Sequence, residues 1–170
     1  MNRYSYDLQD PWTWCRATHE HVPGIVELVD TNYSQEIESV IFTKNPARLH
    51  YHLHQAVLDQ QYNLNTQLVM VAVQAQAIVA WSWVTRGSYT VYADQEMATA
   101  EFAHVDLKLP PRPRIRLLSQ IIEQWQAWCY INQIPVLCST SIRTEHTAFM
   151  RLHQQQGFQV RGTMAYKKIL

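Results

Sequence analysis

Three arginines fall within five residues, Arg112, Arg114 and Arg116, just before an amphipathic stretch. The dipole at a helix N-terminus disfavours cations, so such a cluster carries an electrostatic cost unless an anion faces it. The spacing therefore points to an anion-facing helix start. Glu101 and His104 lie in a run of alternating apolar residues that reads as a strand. Strand periodicity puts them on opposite faces, with Glu101 beside Ala103, Val105, Leu107 and Leu109. A carboxylate buried on so apolar a face would have a raised pKa. His50, His52 and His54 would share a face on a strand, as metal ligands do. Leu49, Leu53, Ala56 and Val57 recur at helical spacing instead. On a helix only His50 and His54 align, with no third ligand nearby, so no metal site is expected. The three cysteines, Cys15, Cys129 and Cys138, include no CxxC and read as reduced thiols of an intracellular, cytoplasmic protein.

The composition narrows the classes. The chain has 170 residues, the size of one domain, and residues 1–170 are expected to form a single one. Fourteen basic residues balance fourteen acidic ones. Zero net charge argues against a broad basic surface for nucleic acid. Apolar runs are too short for a membrane span, and the polar N-terminus has no signal-peptide core. There are only four glycines, Gly24, Gly87, Gly157 and Gly162. No two are close enough for a GxGxxG or P-loop cradle.

The elements that would position these groups follow from periodicity. Residues 12–17 read as a strand, and Thr18 can cap a helix carrying Val22, Ile25, Val26 and Val29. A polar stretch, 30–38, follows. Asn45-Pro46 opens a second helix. Strands are expected at 68–73, 77–85 and 98–109, with a turn at 74–76 and a break at 86–88. Trp81 and Trp83 share a face, lining a pocket or packing under a helix, and Tyr89 and Tyr92 read as a lid. Pro110 and Pro111 stop the long strand. A helix over 116–131, a strand at 135–140, a helix over 144–155 ended by Gly157, and a closing hairpin around Gly162 complete the pattern. The expected class is α/β to α+β, a mixed and mostly antiparallel sheet of about seven strands with helices on both faces.

This order resembles the GNAT superfamily of acyl-CoA-dependent N-acyltransferases. Four segments carry the likeness: Cys15-Arg16-Ala17-Thr18 entering the first helix, Leu107-Lys108-Leu109-Pro110-Pro111 ending the long strand, His146 to Phe158 with its Gly-Phe pair, and the tail from Gly162 to Lys168. The resemblance implies acetyl transfer from acetyl-CoA to a primary amine, small molecule or peptide, by direct attack. It implies that Leu107, Lys108 and Leu109 pair with pantetheine, and that Arg112, Arg114, Arg116, Leu117 and Leu118 lie at the diphosphate. It implies that Glu101 or His104 is the base. The chain departs from the family pattern at two places. No glycine stands in the diphosphate loop, where Ile115, Leu117 and Ser119, or Arg116 and Leu118, take the glycine positions. His153 replaces the tyrosine that protonates the leaving thiolate, and His146 replaces the asparagine opening that helix. A histidine can donate a proton near neutral pH. The rival reading is a GNAT-fold protein that has lost its chemistry and serves as a structural module, with a protein partner, a second copy of itself or a phage virion as its setting.

Overall fold

The computed structural model describes residues 10–36, 43–141 and 146–161. Among these residues five strands form one sheet in sequential order: β1 (Thr13–Arg16), β2 (Gln67–Gln74), β3 (Ala77–Thr90), β4 (Ala93–Val105) and β5 (Val136–Ser139). The first four run antiparallel, and β5 is parallel to β4. A parallel neighbour needs a crossover, supplied here by α3 (Pro111–Ile131).

α1 (Val22–Glu36) and α2 (Pro46–Tyr62) cover one face. Ile25 and Val29 of α1 and Leu53 and Val57 of α2 are buried there against Val69, Val71 and Trp81. α3 covers the other face. Its Leu117, Ile121, Ile122 and Trp125 pack on Ala72, Ala80, Val84, Ala98 and Ala100. Small alanines on that face leave room for the indole of Trp125. Leu152 of α4 (Thr147–Gln155) joins the same cluster. Asn45 caps α2 by accepting from the Arg48 N–H at 2.9 Å, as its position predicts. The β2–β3 hairpin turns at Ala75 and Gln76, whose φ values of +46° and +69° are those a primed turn requires, reached here without glycine.

The mixed α/β class holds, with several boundaries revised. α1 continues to Glu36 through most of the polar stretch expected as loop. β3 continues past residues 86–88, because Gly87, at φ +91°, absorbs an irregularity without ending the pairing. The Arg86 guanidinium grips Glu96 of β4 across that irregularity at 2.6 and 2.7 Å. The hairpin tip is at Val91 and Tyr92, so Tyr89 and Tyr92 stand exposed at a strand end. β4 ends at Val105, four residues early, because Asp106 starts a turn: its carboxylate accepts from Lys108 N–H and its carbonyl from Leu109 N–H. α3 starts at Pro111, five residues early, since proline suits a first helical turn. Of the expected closing hairpin, residues 158–161 form no strand and residues 162–170 lie outside the described ones.

Candidate active site

The site begins with an irregularity in β4. Trp83 pairs with Phe102, and the next residue of β3, Val84, pairs with Ala100. Glu101 is therefore an extra residue, a β-bulge. The bulge resets the alternation. Before it Ala98 and Ala100 face α3, and after it Phe102 faces α1 and α2. Immediately beside it β5 ends: the last β4–β5 pair is Ala100 with Ser139. From Glu101 to Val105 the β4 backbone has no β5 neighbour, so the sheet opens at that point.

The bulge also corrects the expectation that Glu101 and His104 face opposite ways. Glu101 is exposed and accepts from the Thr85 hydroxyl at 2.9 Å. Thr85 pairs with Gln67, whose amide reaches Asp59 of α2. Glu101 thus lies on the α1–α2 side rather than beside Ala103 and Val105. His104 is on that side too, 4% exposed. Its Nε2 accepts from the Asn32 amide of α1 at 3.2 Å, and the Leu28 carbonyl takes its other nitrogen's proton. Burial lowers its pKa to about 4. Both ring nitrogens are engaged, so a neutral His104 is enclosed while Glu101 meets solvent. A cavity of about 130 Å³ lies on the same side, lined by Val26, Val29, Asp30, Tyr33, Leu49 and Phe102. Lys44 forms an ion pair with Asp30 at its rim. Trp81 and Trp83 stack on Phe102, at centroid distances of 5.0 and 6.3 Å, and pack beneath these helices.

The start of α3 is poor in donors. Pro111 and Pro113 have no N–H, and the Arg114 N–H is taken by the Pro110 carbonyl. Arg112 alone offers a free N–H in the first turn. The Arg114 Nε is buried without a hydrogen-bond partner, and Arg112 is exposed. Arg116 is engaged elsewhere, with Asp10 at 2.7 Å. Asp10 also takes the Gln120 amide, and the Gln120 carbonyl accepts both Trp12 and Trp14 indole N–H groups. Leu117 is fully buried in the core and Leu118 packs against it. Leu107 and Leu109 are half-buried in the turn after β4, and Lys108 is exposed there beside an open hollow of about 590 Å³ with Glu20, Glu27 and Asp106.

α4 brings a histidine to the mouth of the opening. His153 is 2% exposed. Its Nδ1 donates to the Phe149 carbonyl at 2.8 Å, and its Nε2 lies 2.9 Å from Ser139 Oγ. Phe149 and Phe158 meet the ring edge-on. Burial lowers the His153 pKa. Gly157, at φ +87°, ends α4 and lets Phe158 turn back onto the ring. His146 stands exposed at the N-cap position of α4.

Sequence reasoning did not single out Ser139, Asn32 or Phe102. Asn32 is legible in retrospect, since it follows Leu28 and Val29 at helical spacing on the buried face. Ser139 carries no local signal, because only the end of β4–β5 pairing gives it meaning. Among the described residues no group of three or more ligating side chains could hold a metal, and no helix is long and apolar enough to cross a membrane.

No protein-family model and no curated protein sequence matches the chain. Solved structures do. A glucosamine-6-phosphate N-acetyltransferase from Arabidopsis thaliana matches with TM-score 0.66 at 11% identity, covering 92% of this chain and 97% of that one. The aminoglycoside 6′-N-acetyltransferase AAC(6′)-Ig from Acinetobacter haemolyticus matches with TM-score 0.65 at 17% identity, covering 92% and 99%. A predicted acetyltransferase from Clostridium acetobutylicum, solved with acetyl-CoA, matches with TM-score 0.69 at 9% identity, covering 92% and 96%. With the β4 bulge, the parting of β4 from β5 and the α3 crossover, these neighbours give the chain the fold of the GNAT N-acetyltransferases.

Proposed function

We propose that this protein transfers an acetyl group from acetyl-CoA to a primary amine. One observation carries the reading: beside the bulge at Glu101 β5 stops pairing with β4, leaving, among the described residues, a strand edge without a neighbour and acid–base groups around it. An extended amide chain such as pantetheine can pair with that edge. The edge runs from Glu101 to Val105, so the pairing expected at Leu107 to Leu109 moves back along β4. The buried, unpartnered Arg114 Nε and the exposed Arg112 fit a diphosphate at the start of α3. They do so through side chains, in place of the backbone cradle that two prolines remove.

Glu101 is the better placed base for the amine, directly or through water, because both His104 nitrogens are engaged. His153 returns the proton to the thiolate. The acceptor enters from the α1–α2 side, where the Asp30 carboxylate, paired with Lys44, can accept an ammonium group in that lysine's place. The names of two neighbours, for glucosamine-6-phosphate and aminoglycosides, support an amino-group acceptor. Free cysteines at positions 15, 129 and 138 fit a reducing cytoplasm.

Calorimetry with acetyl-CoA and desulfo-CoA on the purified protein tests the reading. Binding is expected with both. No heat and no thermal shift at millimolar cofactor would leave the structural-module reading in its place.

A further inference from the structure

The cavity under α1 and α2 separates apolar walls from a charged rim. Val26, Val29, Leu49 and Phe102 make walls that are almost wholly carbon, while Asp30 and Lys44 stand paired at the mouth. The volume is about 130 Å³. An apolar cavity of about 150 Å³ takes benzene, so this one suits a phenyl ring or a branched chain of about four carbons. A sugar ring suits it badly, because its hydroxyls would lose water and gain no partner from carbon walls.

The rim sets a second condition. Its one anion and one cation are paired with each other, with side chains 41% and 43% exposed for Asp30 and Lys44. An ion pair so open to water contributes little, so exchanging its partners costs little. A simple ammonium ion that meets Asp30 also meets the repulsion of Lys44. A zwitterion satisfies both groups, its ammonium on Asp30 and its carboxylate on Lys44, so two charge-assisted contacts replace one. The cavity also adjoins the base. Phe102, one of its walls, directly follows the bulged Glu101, which lies on the same side of the sheet.

We propose that the acceptor is a free α-amino acid with an apolar side chain, the side chain seated in this cavity and the two charged groups at its rim. This rests on the acetyl-CoA reading above and on direct attack by the amine. The α-ammonium gives one proton through Glu101 to solvent, and its nitrogen bonds to the thioester carbonyl carbon. The C–S bond then breaks, and the second surplus nitrogen proton ends on the thiolate as the CoA thiol. The product is an N-acetyl amino acid, an anion with no ammonium. Asp30 thereby loses its contact to the ligand and competes again for Lys44, which favours release.

The experiment measures CoA release with leucine, phenylalanine and alanine, with isoamylamine and phenethylamine, which lack the carboxylate, and with glucosamine. The kcat/KM of leucine and phenylalanine should exceed that of the two plain amines by about tenfold or more. It should exceed that of alanine by about 30-fold or more, the worth of the buried side chain, and glucosamine should rank below both. Lys44→Met should raise the KM for leucine by about tenfold and bring leucine and isoamylamine together. Val26→Phe fills the cavity and should abolish the preference of leucine over alanine. Isoamylamine or glucosamine turned over as well as leucine would overturn the proposal and leave the acetyltransferase reading standing. So would acetyl-CoA binding with no turnover of leucine or phenylalanine. Failure to bind acetyl-CoA would overturn that reading instead. Saturation-transfer NMR with leucine alone then decides the cavity by itself: transfer to the leucine methyl groups, lost in Val26→Phe, supports the amino-acid site, and no transfer overturns it.

Discussion

The two buried histidines determine how this molecule responds to acid. Burial holds His104 near a pKa of about 4, against an ordinary value of 6.5, and depresses His153 as well. Both are neutral when folded, whereas the unfolded chain binds protons at each from near pH 6.5 downward. Unfolding therefore takes up protons between pH 6.5 and 4, and stability falls as pH falls through that window. His104 alone accounts for a loss of up to about 3 kcal/mol. Urea midpoints should drop across this range, and His104→Gln should flatten the profile. The same burial separates the two base candidates. Glu101→Gln should lower acetyl transfer by about 100-fold with acetyl-CoA affinity unchanged. His104→Gln should act mainly on stability, which kinetics at constant folded fraction will distinguish.

The arginines at the start of α3 point different ways: Arg116 holds Asp10, while the buried Arg114 Nε has no hydrogen-bond partner. Arg114→Ala should weaken acetyl-CoA binding about tenfold, since a charge-assisted contact to phosphate is worth roughly 1.5–3 kcal/mol. Arg116→Ala should change affinity by less than about twofold, because its guanidinium already holds Asp10. Calorimetric titrations of the two variants check the division. Gln120, one turn further on, joins α3 to the segment leading into β1 through Trp12, Trp14 and Asp10. Gln120→Leu strands two indole N–H groups and should cost about 2–3 kcal/mol in denaturant unfolding. The helix itself was legible as an amphipathic stripe. Its true start was not, because prolines read first as the end of a strand and only the Asp106 turn shows that they open a helix.

At the scale of the whole molecule, the sheet is continuous except where the site lies. β1 to β4 pair in sequential order over two well-filled faces, and the opening falls between β4 and the one strand reached by a long crossover. β4, the end of β5 and, through His153, α4 border that opening. Acetyl-CoA at about a hundred times its Kd should add about 2.7 kcal/mol to the folded state. For a domain of this size the midpoint should then rise by about 5–10 °C, which a thermal melt with and without ligand will read.

The sequence by itself determined what depends on near neighbours along the chain. Apolar spacing placed α2, α3, β2 and β5 to within a few residues. Asn45 declared its cap. The absence of glycine from the start of α3 means that any phosphate site there would be built without glycine in its cradle. What the tertiary structure decided depends on register between strands. Periodicity assumes an unbroken two-residue repeat, and one inserted residue at Glu101 reverses it, bringing Glu101 and His104 to the same face. The pairing of Ser139 with His153 joins residues on separate elements that no local pattern connects. Such pairings exist only once β4 and β5 have parted and α4 has packed behind them.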